Sequence, residues 1–390
     1  MKKLSIFFLS FLFCGSFYAQ EIIEEDFYSV SLNEIKVLQI FIPAGYDLSE
    51  DNYPLAVVLD ADDLFETYVS ISKLFAKNDK APNQIIVGIS QEIAPYRARD
   101  YGYDLTNSYP TQESMHVLQY ISEELVPHFK DNYRISDFKT IVGQEITANF
   151  ANYFLFDKKP VFSAYINLHP ALAPDMPAYL ESALANLKGK DYFYYASRAQ
   201  NSPSDVKEKM AHTDANIAQI ANSYFHYKFE DFKESSELVC IPKGIASALD
   251  HIFTRYARIT NKEFNNEIVY LSPLAAMEYL QFRYENIAYL FGKEMAIRME
   301  DFRAIEPVII GKEGGRFLKG FGEMALKQFP TNPLGNYYIG LYHEKNLDYR
   351  KALISYKQGY AKIPENSPQS LDFFQNINRV SKAQQYSKNN

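Results

Sequence analysis

Short apolar runs alternate with helix-period segments from about residue 25 to 260, after which the strand signal nearly vanishes, and this alternation restricts the fold more than any other property of the chain. Residues 26–43, DFYSVSLNEIKVLQIFIP, read as two strands around a polar turn, while 54–60 (PLAVVLD), 84–89 (QIIVGI), 139–143 (KTIVG), 162–168 and the YFYYAS run read as buried strands. Apolar residues three or four apart predict helices over 64–75, 112–129, 146–157 and 176–187. Continuous apolar strands between helices of this length call for an α/β fold with a mostly parallel sheet covered on both faces. Ligands in such sheets bind beyond the carboxyl ends of the strands, so the loops after 60, 89, 143, 168 and 196 are where function is sought.

From about 265 the pattern is helical, over 272–303, 315–329 and 333–384. With Gly340 as the eighth position of a 34-residue helix-turn-helix unit, Ala352, Tyr356, Gly359 and Pro364 fall on the small, aromatic, small and proline positions of a tetratricopeptide-like unit at about 333–366. Small residues permit close helix crossing, and a proline stops a helix. Asn336 and His343 depart from the pattern, so an ordinary helical hairpin stays open as the alternative. The expected division is a signal peptide over 1–20, an α/β domain over 21–262 and a helical extension over 263–390.

Lys2 and Lys3 precede an apolar run from Leu4 to Phe13 and then small and polar residues, the pattern of a secretory signal rather than a membrane span. Cys14 follows bulky Phe11, Leu12 and Phe13, which suits an ordinary apolar segment better than lipoprotein processing. No later stretch approaches the roughly 20 apolar residues of a spanning helix. Without Lys2 and Lys3 there are 38 basic against 48 acidic residues, a formal charge of −10, which argues against non-specific binding to nucleic acid or anionic membranes. Cys240 is then the only cysteine, so stability rests on a large core rather than an intramolecular disulfide. Thirty-one tyrosines and no tryptophan are read first as strand propensity and second as an aromatic binding surface.

At 140–150, TIVGQEITANF, a strand meets a helix at a corner able to thrust one side chain above the sheet, the arrangement of a nucleophile elbow. Here the chain resembles the esterase family of α/β-hydrolases that includes siderophore-esterase and S-formylglutathione-hydrolase types. That family reads G-H-S-x-G-G at the corner, where this chain has Gly143-Gln144-Glu145-Ile146-Thr147-Ala148. Further fragments match in order over about 30–260: Leu59-Asp60, Val87-Gly88-Ile89, Arg97-Ala98-Arg99-Asp100, Glu124-Leu125-Val126-Pro127 and Leu168-His169-Pro170. The resemblance implies a serine where Glu145 stands, a histidine at Ser235 in Ser235-Ser236-Glu237-Leu238-Val239, and an acid near Gln200. None of the three positions holds the reactive group, and an esterase needs nucleophile, base and orienting acid as a unit.

Glu145 is open to a structural role at the helix start, to ligand or partner contact, or to nucleophilic work that has no histidine at the expected place. His251 reads as a packing or surface residue of an amphipathic helix, and His169 as a rim residue able to approach Glu145. Asp60, Arg97, Arg99, Asp100, Glu145 and His169 form the expected pocket set, with a loop-fixing Arg–Asp pair as the plainer account of 97–100. Thr147 and Ala148, larger than the glycines they replace, put the turn geometry in question. Asp60, Asp62 and Asp63 poorly meet the six or more oxygens of a hard-cation site, and zinc, nucleotide and redox motifs are missing, so no cofactor and no metal are expected. The expectation is an exported, catalytically inactive esterase-like protein, periplasmic or secreted. It would bind a ligand, or a protein partner through the helical extension or the former active-site face, including peripheral association with an envelope complex. The alternative is an active carboxylic-ester hydrolase with a rearranged, non-serine site.

Overall fold

The computed structural model describes residues 21–90, 94–364 and 367–389; the expected signal peptide lies outside the described residues. The chain forms two compact units. One comprises the described residues up to Lys73 and Asn83–Ala248, the other Leu74–Pro82 and Leu249 onward.

The first unit is built on one eight-stranded sheet: β1 (Glu21–Ser29), β2 (Glu34–Ile42), β3 (Tyr53–Val58), β4 (Ile85–Ile89), β5 (Ile135–Gln144), β6 (Ala164–Leu168), β7 (Tyr192–Ala199) and β8 (Phe225–Phe232), in the order β1-β2-β4-β3-β5-β6-β7-β8. β1 and β2 pair antiparallel, as does β2 with β4, and every later pairing is parallel. All residues of β3, β4 and β6 are buried, because helices cover both faces of central parallel strands. The helices are α1 (Ala61–Lys77), α2 (Ala94–Asp100), α3 (Gln112–Gln119), α4 (Val126–Asn132), α5 (Glu145–Ala151), α6 (Met176–Ala185), α7 (Ser204–Ile217) and α8 (Glu237–Ile252). The continuous helix expected over 112–129 needs correction: a wide π turn, Tyr120–Leu125, separates α3 from α4. Pro127 offers no N–H and its ring would press on the carbonyl four residues earlier, so the wider turn relieves that conflict. The helix expected over 146–157 likewise tightens into a 3-10 segment at Asn152–Phe156.

The second unit is helical: α9 (Asn261–Asn266), α10 (Pro273–Phe291), α11 (Met299–Ala304), α12 (Glu306–Gly311), α13 (Leu318–Gln328), α14 (Leu334–Lys345), α15 (Tyr349–Tyr360) and α16 (Gln369–Asn389). The helical run expected over 272–303 is broken at Gly292, which takes φ 68° and closes α10 by donating to the Ala288 carbonyl. α13 and α14 cross at Gly322 and Gly335, where an added Cβ on either would press on the other's carbonyl oxygen. In the α14–α15 hairpin the Tyr356 ring lies against Gly340, and Phe373 of α16 lies against Gly359. Buried Ala352, Tyr356, Phe373 and Val380 close this small core. Gly340, Ala352, Tyr356 and Gly359 lie in a helical hairpin covered by a third helix. α15 ends four residues before Pro364, so the proline follows the stop rather than making it.

Candidate functional site

The corner between β5 and α5 lies at the carboxyl end of a central strand, and close packing dictates its shape. A Cβ on Gly143 would stand 2.7 Å from the Thr147 carbonyl carbon and 2.8 Å from the Ala148 nitrogen, so only glycine lets the strand end approach the helix. Gln144 is extended, with φ −127° and ψ 150°, and Glu145 then turns to φ 50°. Thr147 and Ala148 therefore keep the sharp turn that their bulk had put in question. The Thr147 hydroxyl accepts from the Gln144 N–H at 2.9 Å and lies 2.7 Å from Asp60 Oδ2 and 2.8 Å from the Gln144 carbonyl, locking the corner to the end of β3. Gln144 Nε2 adds a bond to Asp63 Oδ2 at 3.1 Å.

Arg97, on α2, joins these loops. Its guanidinium donates to both oxygens of buried Asp60, at 2.7 and 2.9 Å, to Glu145 Oε2 at 3.1 Å and to the Gln144 carbonyl at 3.1 Å. Burial alone would make the guanidinium easier to deprotonate, but hydrogen bonds and charge from Asp60 and Glu145 prevail and hold its proton more tightly than usual. Arg97 and Asp60 compose a two-pronged pair, and Glu145 leans on its edge with the side chain 47% exposed.

His169 follows β6 with φ 34°, and the nearby Ala171 N–H donates to the Glu145 carbonyl at 3.0 Å. Asp60, Glu145 and His169, at φ 51°, 50° and 34°, are thus three non-glycine residues in the left-handed region at the ends of β3, β5 and β6. Each such conformation costs on the order of 1–3 kcal/mol and persists only where its surroundings impose it. His169 is 5% exposed, and among the described residues its Nδ1 has no hydrogen-bond partner. Burial pushes the imidazole below its ordinary titration range, outweighing the carboxylates of Glu237 and Glu145 that pull the other way.

An open cleft of about 380 Å³ lies here, with Arg97, Glu145, His169, Ser202 and Glu237 as its polar lining and Ala98, Ile146, Ala171, Pro203 and Val206 as its apolar walls. Ser202 is 4% exposed, and its hydroxyl is also without a partner among the described residues. Asp60 sits behind Arg97 rather than on the cleft wall. Arg99 and Asp100 are not among the described residues that line the cleft: Asp100 accepts from Arg99 Nε at 2.6 Å and faces Lys36 Nζ at 3.5 Å. Gln200 and Ser235 are brought together, the Gln200 N–H donating to the Ser235 carbonyl at 2.9 Å, and the Ser235 hydroxyl accepts from Lys243 Nζ at 2.8 Å. Their neighbours Ser202 and Glu237 reach the cleft instead. Sequence reasoning missed both as site residues, although Glu237 stands two places beyond the expected histidine position and that offset was the available signal. Among the described residues no group of three or more His, Cys, Asp or Glu side chains has metal-holding geometry, and no helix is long and apolar enough to cross a membrane.

No family model matches the chain, and no curated protein matches it. Solved structures do. An uncharacterised protein from Capnocytophaga ochracea is 28% identical over 93% of this chain and 100% of its own, with a TM-score of 0.79. An IroE-like serine hydrolase from Shewanella oneidensis is 21% identical over 77% of this chain and 98% of its own, TM-score 0.58. The first unit has an α/β-hydrolase-like fold. The BES protein from Bacillus cereus, 18% identical over 65% of this chain and 99% of its own at TM-score 0.52, shows the same architecture. In this α/β-hydrolase-like unit Glu145 stands at the turn from β5 into α5, and the cleft opens at the carboxyl ends of the parallel strands, where open α/β sheets bind ligands.

Proposed function

We propose that this chain is an esterase-like α/β-hydrolase relative that binds a small ligand in the cleft beside Glu145 and does not hydrolyse esters through a serine. The observation that carries this reading is the state of Glu145: it holds the strained elbow conformation, yet its carboxylate leans on an Arg97 already anchored two-pronged on Asp60. A carboxylate drawn to a guanidinium is a weak nucleophile, and the positions resembling the base and acid hold Ser235 and Gln200. Strained backbone at Glu145 and His169, which line the cleft, and at Asp60 behind Arg97 supports a binding function. The helical unit is proposed as a surface for a protein partner, and the apolar opening segment supports export to the periplasm or beyond.

The test is hydrolysis of short-acyl and aromatic esters by the purified protein beside Glu145→Gln and Glu145→Ser. The expected result is no rate above the enzyme-free control for wild type and Glu145→Gln alike. The second reading, a hydrolase with a rearranged site, is favoured by His169 lining the same cleft as Glu145; a saturable wild-type rate abolished by Glu145→Gln would establish it and sink the first.

A further inference from the structure

The polar lining of the cleft is unbalanced. Among the described residues its one cation is Arg97, which is committed to Asp60, Glu145 and the Gln144 carbonyl. Glu237, half-buried at the first turn of α8, makes no ion pair among the described residues, and only its backbone N–H is used, by Asn201 Oδ1 at 3.0 Å. Two further polar groups at the cleft, Ser202 Oγ and His169 Nδ1, are buried without a hydrogen-bond partner among the described residues. With Arg97 and Asp60 cancelling, Glu145 and Glu237 leave the cleft negative, and acceptors outnumber donors. The group that answers such a lining is an ammonium, which carries three N–H donors and no acceptor. A fixed metal cation fits less well, since a hard cation needs six or more oxygens and no such cluster is present among the described residues.

We propose that the cleft takes a small primary amine in its ammonium form, the head held between Glu145, Glu237 and Ser202 and a short apolar body lying against Ile146, Pro203 and Val206. This rests on the reading of the cleft as a binding site and names the class of ligand. A volume of about 380 Å³ sits at the small end of ligand clefts, which limits the body to a few carbons.

The experiment uses the full exported chain, isotope-labelled, titrated with n-butylammonium, 1-butanol and butyrate while the amide resonances of Ile146 and Ala171 are followed. Butylammonium is expected to bind with a dissociation constant on the order of millimolar, as so small a ligand allows. Butanol and butyrate are expected to bind at least roughly tenfold more weakly, and Glu237→Gln and Glu145→Gln each to weaken butylammonium by roughly tenfold, the weight of one charge-assisted hydrogen bond. Glu237→Gln keeps shape at a partly exposed helix start, and an unchanged melting temperature confirms the fold. Butanol or butyrate binding as well as butylammonium would overturn the amine class while leaving the binding reading intact. Indifference of butylammonium to both Gln variants, or no shift with any probe, overturns the proposal. Loss of the binding-only reading is read separately, from the Glu145-dependent ester rate, so the two failures are distinguishable.

Discussion

At the scale of single residues, Thr147 and Arg97 organise the corner. The Thr147 hydroxyl ties Gln144 to Asp60 from a site closed to solvent. Thr147→Val keeps the shape and removes those bonds, so a loss of about 1–3 kcal/mol is expected in urea unfolding. Arg97→Met leaves the buried Asp60 carboxylate without its partner; because Arg97 is itself partly exposed, the expected loss is about 2–3 kcal/mol, below the full penalty of a deeply buried charge. His169 makes stability depend on pH. Its folded value lies below the ordinary 6.5, so the unfolded chain takes the proton first and the folded state loses ground as pH falls. The contribution is fully present above about pH 6.5 and is lost as pH drops through the lower folded value. Melting temperatures across pH 5–8 for wild type and His169→Gln check this, the variant showing the shallower decline toward acid.

At the scale of elements, backbone proximity decides what a position tolerates. Gly143→Ala sets a Cβ against the backbone of Thr147 and Ala148, which cannot rotate away as a side chain can. An overpacking cost of about 2–3 kcal/mol is expected in thermal or urea unfolding, with widespread shifts of the α5 amides. The α14–α15 hairpin obeys the same logic through rings. Gly340→Val would drive a branched side chain into Tyr356, which is fully buried and donates to Glu344 at 2.8 Å, so its ring has no free direction to move. The spacing of small residues along the tail was legible because helical contacts recur at fixed intervals. The π turn before Pro127 was not, since apolar spacing alone does not register one wide turn inside an otherwise helical run.

At the scale of the whole molecule, the chain combines an α/β-hydrolase-like unit with a helical unit, and the division between compact units falls inside α1, after Lys73, and inside α8, between Ala248 and Leu249. A helix continuous in its periodicity carries no mark of which core claims each turn. Cys240 provides a probe of the folded state. It is fully buried, its sulfur faces the Ser235 carbonyl at 3.7 Å, and burial raises its thiol above the ordinary range. A thiol reagent at neutral pH is expected to react negligibly with the native protein and to titrate one thiol after unfolding if export processing has removed Cys14. Two equivalents would show that the first segment is retained.

The sequence by itself determined the sheet, its parallel character and the helical tail, because apolar periodicity is a local property written along the chain. Only the tertiary structure decided what Glu145 does. Arg97 meets Asp60 across 37 residues and Glu145 across 48, and Thr147 meets Asp60 across 87. Such meetings depend on strand order in the sheet, which periodicity does not encode. The same holds for Glu237 and Ser202, delivered to the cleft by loops whose nearest signals, Ser235 and Gln200, turn to bond each other instead. The left-handed backbone at Asp60, Glu145 and His169 is likewise imposed from outside those residues, by packing that only the assembled sheet supplies.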